Sequence, residues 1–219
     1  MRACSYAKID YLRCKTQIRL LCAMMLFFAI FFTLQTDSIG FAVGYLTFLS
    51  VIFATAPFGM DQRSESGFIN MLPGSAKDKV YGRYLYIVCG VLITIVVAVA
   101  SVLVLRLRGN EIDEASQAGY IALIGVAFIV IAIESVILYA VGKGKSQQYI
   151  ALIQMLPAFA MFFGGSMLVE YLSEHDGFDF TWIIEHKMPL AFATLAIGFV
   201  VFLLSSRVSL AIVKRKDYE

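Results

Sequence analysis

Tyr84-Leu85-Tyr86-Ile87-Val88-Cys89-Gly90-Val91-Leu92-Ile93-Thr94-Ile95-Val96-Val97-Ala98-Val99-Ala100-Ser101-Val102-Leu103-Val104-Leu105 holds no charged side chain. A helix of about 20 apolar residues, rising about 1.5 Å each, crosses the roughly 30 Å hydrocarbon core of a bilayer. This stretch therefore reads as a membrane span. Five further blocks of the same kind flank it, which gives candidate spans Ile18–Gln35, Ile39–Phe58, Tyr84–Leu105, Gly119–Val141, Tyr149–Tyr171 and Pro189–Val208. Composition agrees: 60% of the 219 residues are hydrophobic and 16% charged, against about 45–50% and about 25% in soluble domains. The expected fold is all-α and integral to the membrane, with six transmembrane helices in a single domain over residues 1–219. A soluble enzyme is excluded. The net charge of +2 is too small to suggest a nucleic-acid partner.

Six spans put both ends of the sequence on one side, and the basic residues indicate which. Arg2, Lys8, Arg13, Lys15, Arg19, Arg63, Lys77, Lys79, Arg83, Lys143, Lys145, Arg207, Lys214, Arg215 and Lys216 fall on one side; only Arg106, Arg108 and Lys187 fall on the other. Basic loops stay in the cytoplasm, so both termini are expected there, in a multi-pass protein of the cell membrane. Tyr84, Tyr86, Tyr139 and Tyr149 lie near the inner interface, and Tyr120, Tyr171 and Trp182 near the outer one, where aromatic rings favour the headgroup layer. No small-x-small cleavage site follows the run ending at Phe32-Thr33-Leu34, so the first block reads as a retained span.

Within residues 1–17, Ala3, Ala7, Tyr11 and Cys14 continue to Ile18 as an apolar helical stripe, with Lys8, Lys15 and Arg19 on another face. Such a helix can lie on an anionic leaflet; the alternative is a basic start that only sets topology. Cys4, Cys14, Cys22 and Cys89 form no C-x-x-C pair and have no histidine cluster near them. They read as structural thiols, and no metal site is expected.

Catalytic patterns are absent. There is no H-E-x-x-H and no G-x-S-x-G, and the two histidines, His175 and His186, fall in the last outer loop. Gly142-Lys143-Gly144-Lys145-Ser146 is superficially similar to a phosphate-binding loop, but the position of the first required glycine is Tyr139. It reads as a basic turn. Glu134 is the acidic residue deep in a span, where a charge costs roughly 2.5–3.5 kcal/mol on insertion scales. It is either a polar or proton-carrying point on a transport path or the donor or acceptor of an interhelical hydrogen bond, with Gln154 or Ser135 as partner. Tyr45, Thr47 and Ser50 are further candidates to line a path. Gly40 with Gly44, and Ala160 with Gly164, have the small-x-x-x-small spacing that lets helices approach. Pro157 can kink the fifth span.

The outer loop, residues 172–188, sets Glu174, Asp176, Asp179 and Glu185 (after Glu170) against Lys187, interleaved with Phe178, Phe180, Trp182, Ile183 and Ile184. It reads as an amphipathic element on the outer surface or as a solvated loop with interface anchors.

Residues 59–83 differ from the other loops. Phe68, Ile69, Met71 and Leu72 crowd into a short apolar run, Pro73-Gly74 enforces a turn, and Ser75 can cap a new helix with Asp78 in its first turn. That helix would run through Lys79 and Arg83 into the third span. An apolar cytoplasmic helix has to bury its face on something, and a partner protein is the natural candidate.

This segment resembles the corresponding loop of type-2 ABC-exporter permeases, in the branch that includes the permease subunits of phenol-soluble-modulin exporters and related peptide exporters. Asp61, Glu65, Phe68, Leu72-Pro73, Lys77, Val80 and Arg83-Tyr84-Leu85 follow in the order of that branch, which the sequence leaves at Gly74-Ser75-Ala76-Lys77. The layout is similar too: an interfacial helix, six spans, a long first inner loop and an enlarged last outer loop. The resemblance implies the transmembrane subunit of an ATP-driven exporter of amphipathic or antimicrobial-type peptides or other amphiphiles. It implies a second permease chain, identical or paralogous, and a separate cytoplasmic ABC ATPase that carries ATP and Mg²⁺, with no cofactor on this chain. It assigns ATPase coupling to Asp61, Glu65, Phe68, Met71, Leu72, Pro73, Lys77 and Arg83. The competing expectation is a non-ATP-driven carrier or intramembrane enzyme that uses Glu134.

Overall fold

The computed structural model describes residues 2–35, 39–63, 74–109, 114–141 and 185–217, and all the regular structure among them is helical. The helices are α1 (Arg2–Gln35), α2 (Ile39–Arg63), α3 (Ala76–Leu107), α4 (Glu114–Val141) and α5 (Lys187–Asp217). They contain the first four expected spans and the sixth. The fifth, Tyr149–Tyr171, lies outside the described residues, together with Gln154, Pro157, Ala160 and Gly164. α1, α3, α4 and α5 are each long and apolar enough to cross a membrane, and α2 carries a shorter apolar stretch, Gly44–Met60. The protein is a multi-pass helical membrane protein.

The start of α3 follows the residues that encode it. Ser75 is the N-cap of a capping box: the Asp78 amide donates to Ser75 Oγ at 3.2 Å, and the Ser75 amide donates to Asp78 Oδ2 at 3.2 Å. Two of the orphan donors at the helix start are thereby satisfied, a contribution of about 1 kcal/mol for such a cap. As expected, the helix then runs through Lys79 and Arg83 without interruption. At its other end the Gly109 amide donates to the Arg106 carbonyl at 3.0 Å with φ +85°, a left-handed turn that glycine adopts without Cβ cost.

α2 is the central helix. No described side chain from Gly44 to Met60 is exposed, and Leu46, Leu49, Phe53 and Phe58 are buried against the surrounding helices. Pro57 lies inside it, where it removes one ladder N–H while the helix continues. The outward faces of α1, α3, α4 and α5 present Phe27, Leu92, Val96, Ile133 and Ile197. Such side chains are costly in water and at home in hydrocarbon.

Contacts fix the direction of each helix. Phe53 of α2 stacks on Tyr86 at 5.0 Å, while Phe58 lies under Arg83, so α2 and α3 are antiparallel. Tyr6, Asp10 and Cys14 of α1 meet Gly82, Arg83 and Tyr86 in that order, so α1 and α3 are parallel. α4 and α5 are also parallel. Lys187 Nζ lies 3.0 Å from Glu114 at their starts, Gly198 abuts Gly125, and Phe128 packs on Phe199 and Phe202 at 5.8 and 5.5 Å. One end of the bundle therefore gathers Lys8, Lys15, Lys77, Lys79, Lys214 and Arg215, and is called the basic end below. α4 finishes at the basic end, and α5 begins at the opposite one.

The residues expected as a separate interfacial helix, 1–17, continue into the first span: α1 is unbroken over Arg2–Gln35. At 34 residues it is about 51 Å long, more than the hydrocarbon core requires. Its packed face is also rotated from the expected stripe. Tyr6, Asp10, Cys14, Ile18, Leu21 and Met25 are buried, whereas Tyr11 is exposed. An acid takes a core position because a cation meets it there. Lys8, Lys15 and Arg19 lie on the exposed face, as expected.

Candidate coupling site at the basic end of the bundle

Asp10 and Arg83 form the centre of the basic end. Arg83 Nε donates to Asp10 Oδ2 and Nη2 donates to Oδ1, both at 3.2 Å. This is the two-pronged geometry that a guanidinium and a carboxylate match. Both side chains are buried, at 7% and 5% exposure. The guanidinium carbon lies 4.5 Å from the centre of the Phe58 ring, within cation–π range. Phe58 meets Tyr139 of α4 edge-on at 5.0 Å. On the other side, the Tyr86 hydroxyl is buried beside Cys14, Asp10 and Arg83. One guanidinium thus ties α1, α2 and α3 together, with α4 one ring away.

The chain on either side of this knot is the 59–83 segment. Its last turns pack on α1 with no room to spare: a Cβ added at Gly82 would run into Tyr6 and the Ala3 carbonyl, and one added at Gly74 would run into the Tyr6 ring. Lys77 is exposed in the first turn of α3, its ammonium 5.9 Å from the Tyr81 ring. Asp61 belongs to the last turn of α2. Glu65, Phe68, Met71, Leu72 and Pro73 lie outside the described residues. Of the residues expected to couple, the structure therefore places Arg83 in a buried contact and Lys77 on the surface.

The remaining expected residues are dispersed. Thr47 and Ser50 are buried in α2, and Ser50 Oγ donates to the Thr47 carbonyl at 2.6 Å. Tyr45 packs on Phe28 of α1 at 4.2 Å. Glu134 is 1% exposed, and neither carboxylate oxygen has a hydrogen-bond partner among the described residues; Ser135, one of its two expected partners, does not supply one. Nearby, the Tyr84 hydroxyl bridges Ser205 at 2.9 Å and Ser209 at 3.0 Å, joining α3 to α5. No group of three or more His, Cys, Asp or Glu with metal-binding geometry occurs among the described residues, and the four cysteines form no disulfide.

Two contributions escaped the sequence reading. Asp10 was passed over, although it is the lone acid in an otherwise basic segment. That is a legible sign of an internal partner, because a surface helix that only sets topology has no use for it. Phe58 reads as the last residue of the second span and Tyr86 as an aromatic at the inner interface. Nothing in their spacing marks them as neighbours of Arg83.

The chain matches the family described as ABC-2 family transporter protein over residues 8–214, nearly its whole length. No curated protein and no solved structure matches it. ABC-2 permeases are the membrane subunits of ABC transporters and work with an ABC ATPase and another permease chain. The bundle and its span of matched residues make this chain a member of the ABC-2 transporter family, a transmembrane subunit of an ABC transporter.

Proposed function

We propose that the chain is the membrane half of an ATP-driven exporter that moves amphipathic peptides or similar amphiphiles out of the cell, in the manner of the phenol-soluble-modulin branch. Both termini are cytoplasmic, and two such chains, identical or paralogous, enclose the pathway. The basic end of the bundle is the cytoplasmic end, in keeping with the placement of its cations. The opposed ends of α4 and α5 support the six-span reading.

The observation that carries the proposal is the anchoring of the 59–83 segment. It is continuous with the central helix α2 on one side. On the other, it ends in a capped helix start pinned to α1 by the Asp10–Arg83 pair. A segment held at both ends transmits displacement to the spans rather than absorbing it. The apolar run Phe68–Leu72 is then the surface on which the ATPase docks, and ATP-driven closure of the ATPase pulls on α2 and α3 together.

A Phe68→Asp, Leu72→Asp variant tests this. The expected result is normal insertion and abundance, with loss of co-purifying ATPase and of amphiphile-stimulated ATP hydrolysis. Undiminished co-purification and stimulation in the variant would remove this segment from the coupling route.

A further inference from the structure

Glu134 stands apart from the other ionisable groups in the described helices. It sits well inside α4, 1% exposed, with both oxygens lacking a hydrogen-bond partner among the described residues. By contrast, the other buried charges, Asp10 and Arg83, neutralise each other. The hydroxyls that join α3 to α5 bond elsewhere: Ser205 Oγ donates to the Phe202 carbonyl at 2.7 Å, and Tyr84 is shared between Ser205 and Ser209. A carboxyl with no partner adds nothing to the folded state that a Gln or Met of the same shape would not, and its burial has a cost.

We propose that Glu134 is the binding site for the cationic group, an ammonium or guanidinium, of the transported amphiphile; the inference rests on the exporter reading above and names its substrate class. In the conformation described here the carboxyl is shielded from water between helices, where a bare anion is costly. When the basic half of the bundle opens, the carboxyl meets water and ionises. It cannot be sealed again as a bare anion. Closure then requires either a returned proton or an arriving cation, and a cationic amphiphile supplies its charge at the point where its apolar tail is also buried. Because binding and closure are linked, the cation stabilises the closed bundle as much as closure strengthens its binding. The buried setting of the carboxyl, without a hydrogen-bond partner among the described residues, suits the empty member of that cycle.

The test uses the permease with its ATPase subunit in nanodiscs of zwitterionic lipid. The probes are dodecylammonium and, as the uncharged reference, dodecyl maltoside. Glu134→Gln should fold and assemble as the wild type does, and Glu134→Met serves as a second variant free of any hydrogen-bonding side chain. The expected result is an affinity for dodecylammonium weakened about tenfold or more in both variants, the worth of one charge-assisted hydrogen bond, with dodecyl maltoside binding unchanged. Stimulation of ATP hydrolysis should lose its preference for the cationic probe. Equal affinity of wild type and variants for dodecylammonium would overturn the inference, as would parallel loss of both probes. A wild type that binds dodecylammonium through Glu134 without stimulated ATP hydrolysis would uphold the site and count against the exporter reading instead.

Discussion

Asp10→Ala and Arg83→Ala each destabilise the folded chain by about 3–5 kcal/mol, the cost of leaving one member of a buried ion pair without its partner. Both groups are almost fully shielded from water. The surviving charge has no solvent to turn to, and in the Asp10 variant the guanidinium loses both of its hydrogen bonds to the carboxylate while it keeps the face of Phe58. Removing both charges with side chains of similar bulk, Asp10→Leu with Arg83→Met, leaves no orphaned ion and is expected to be far milder than either single change. Arg83→Lys is expected to fall between, because an ammonium gives up the two-pronged contact and the stacking on Phe58. Thermal unfolding of the purified chain in detergent, read as loss of the monodisperse peak after heating, checks the order: single variants lowest, Lys intermediate, double variant near wild type. A double variant whose loss equals the sum of the two single losses would mean that Asp10 and Arg83 act independently.

The second large effect lies at the α4–α5 crossing. A Cβ on Gly198 would collide with the Gly125 carbonyl, and one on Gly125 would meet the Thr194 carbonyl at 2.6 Å and the Leu195 amide at 2.7 Å. These obstacles are backbone atoms, which cannot swing away as a side chain can. Gly198→Ala is expected to cost about 1–3 kcal/mol, in the range of overpacked cores, and Gly198→Leu to prevent the pair from forming. Helices in lipid gain their attraction from such close backbone approach. Gly44→Ala is the control. An added Cβ there meets nothing within 4 Å among the described residues, so the variant should match or slightly exceed wild type, since alanine is the better helix former. The same unfolding measurement decides it. A Gly198→Ala variant as stable as Gly44→Ala would contradict the crossing.

The glycines also show how far the sequence could be read. Gly40 and Gly44 carry the familiar spacing, yet a Cβ added at Gly44 would meet nothing within 4 Å among the described residues. The working contact joins Gly125 and Gly198, one glycine on each of two helices far apart in sequence. A spacing rule sees pairs within one helix and is blind to pairs between helices. The spans were legible for the opposite reason, because hydrophobicity over about 20 residues is local and needs no knowledge of neighbours. The Ser75–Asp78 cap was legible for the same reason.

The rotation of α1 could not be read so directly. Tyr11 looks more apolar than Asp10, and only the presence of Arg83 across the interface reverses their places. Glu134 was visible as an anomaly from the start. Its surroundings were not, and the expected hydrogen bond to Ser135 fails because adjacent residues on a helix point about 100° apart and do not face each other.

In the proposed mechanism this permease takes its motion from an ABC ATPase through residues 59–83. Photo-crosslinking from position 68 tests it most directly, with a photoreactive amino acid in place of Phe68 and the ATPase subunit co-expressed in intact membranes. The account predicts a covalent adduct of the two subunits, formed at position 68 and not at the lipid-facing control position 96. An absence of adduct at position 68, with the assembled complex otherwise intact, would contradict it.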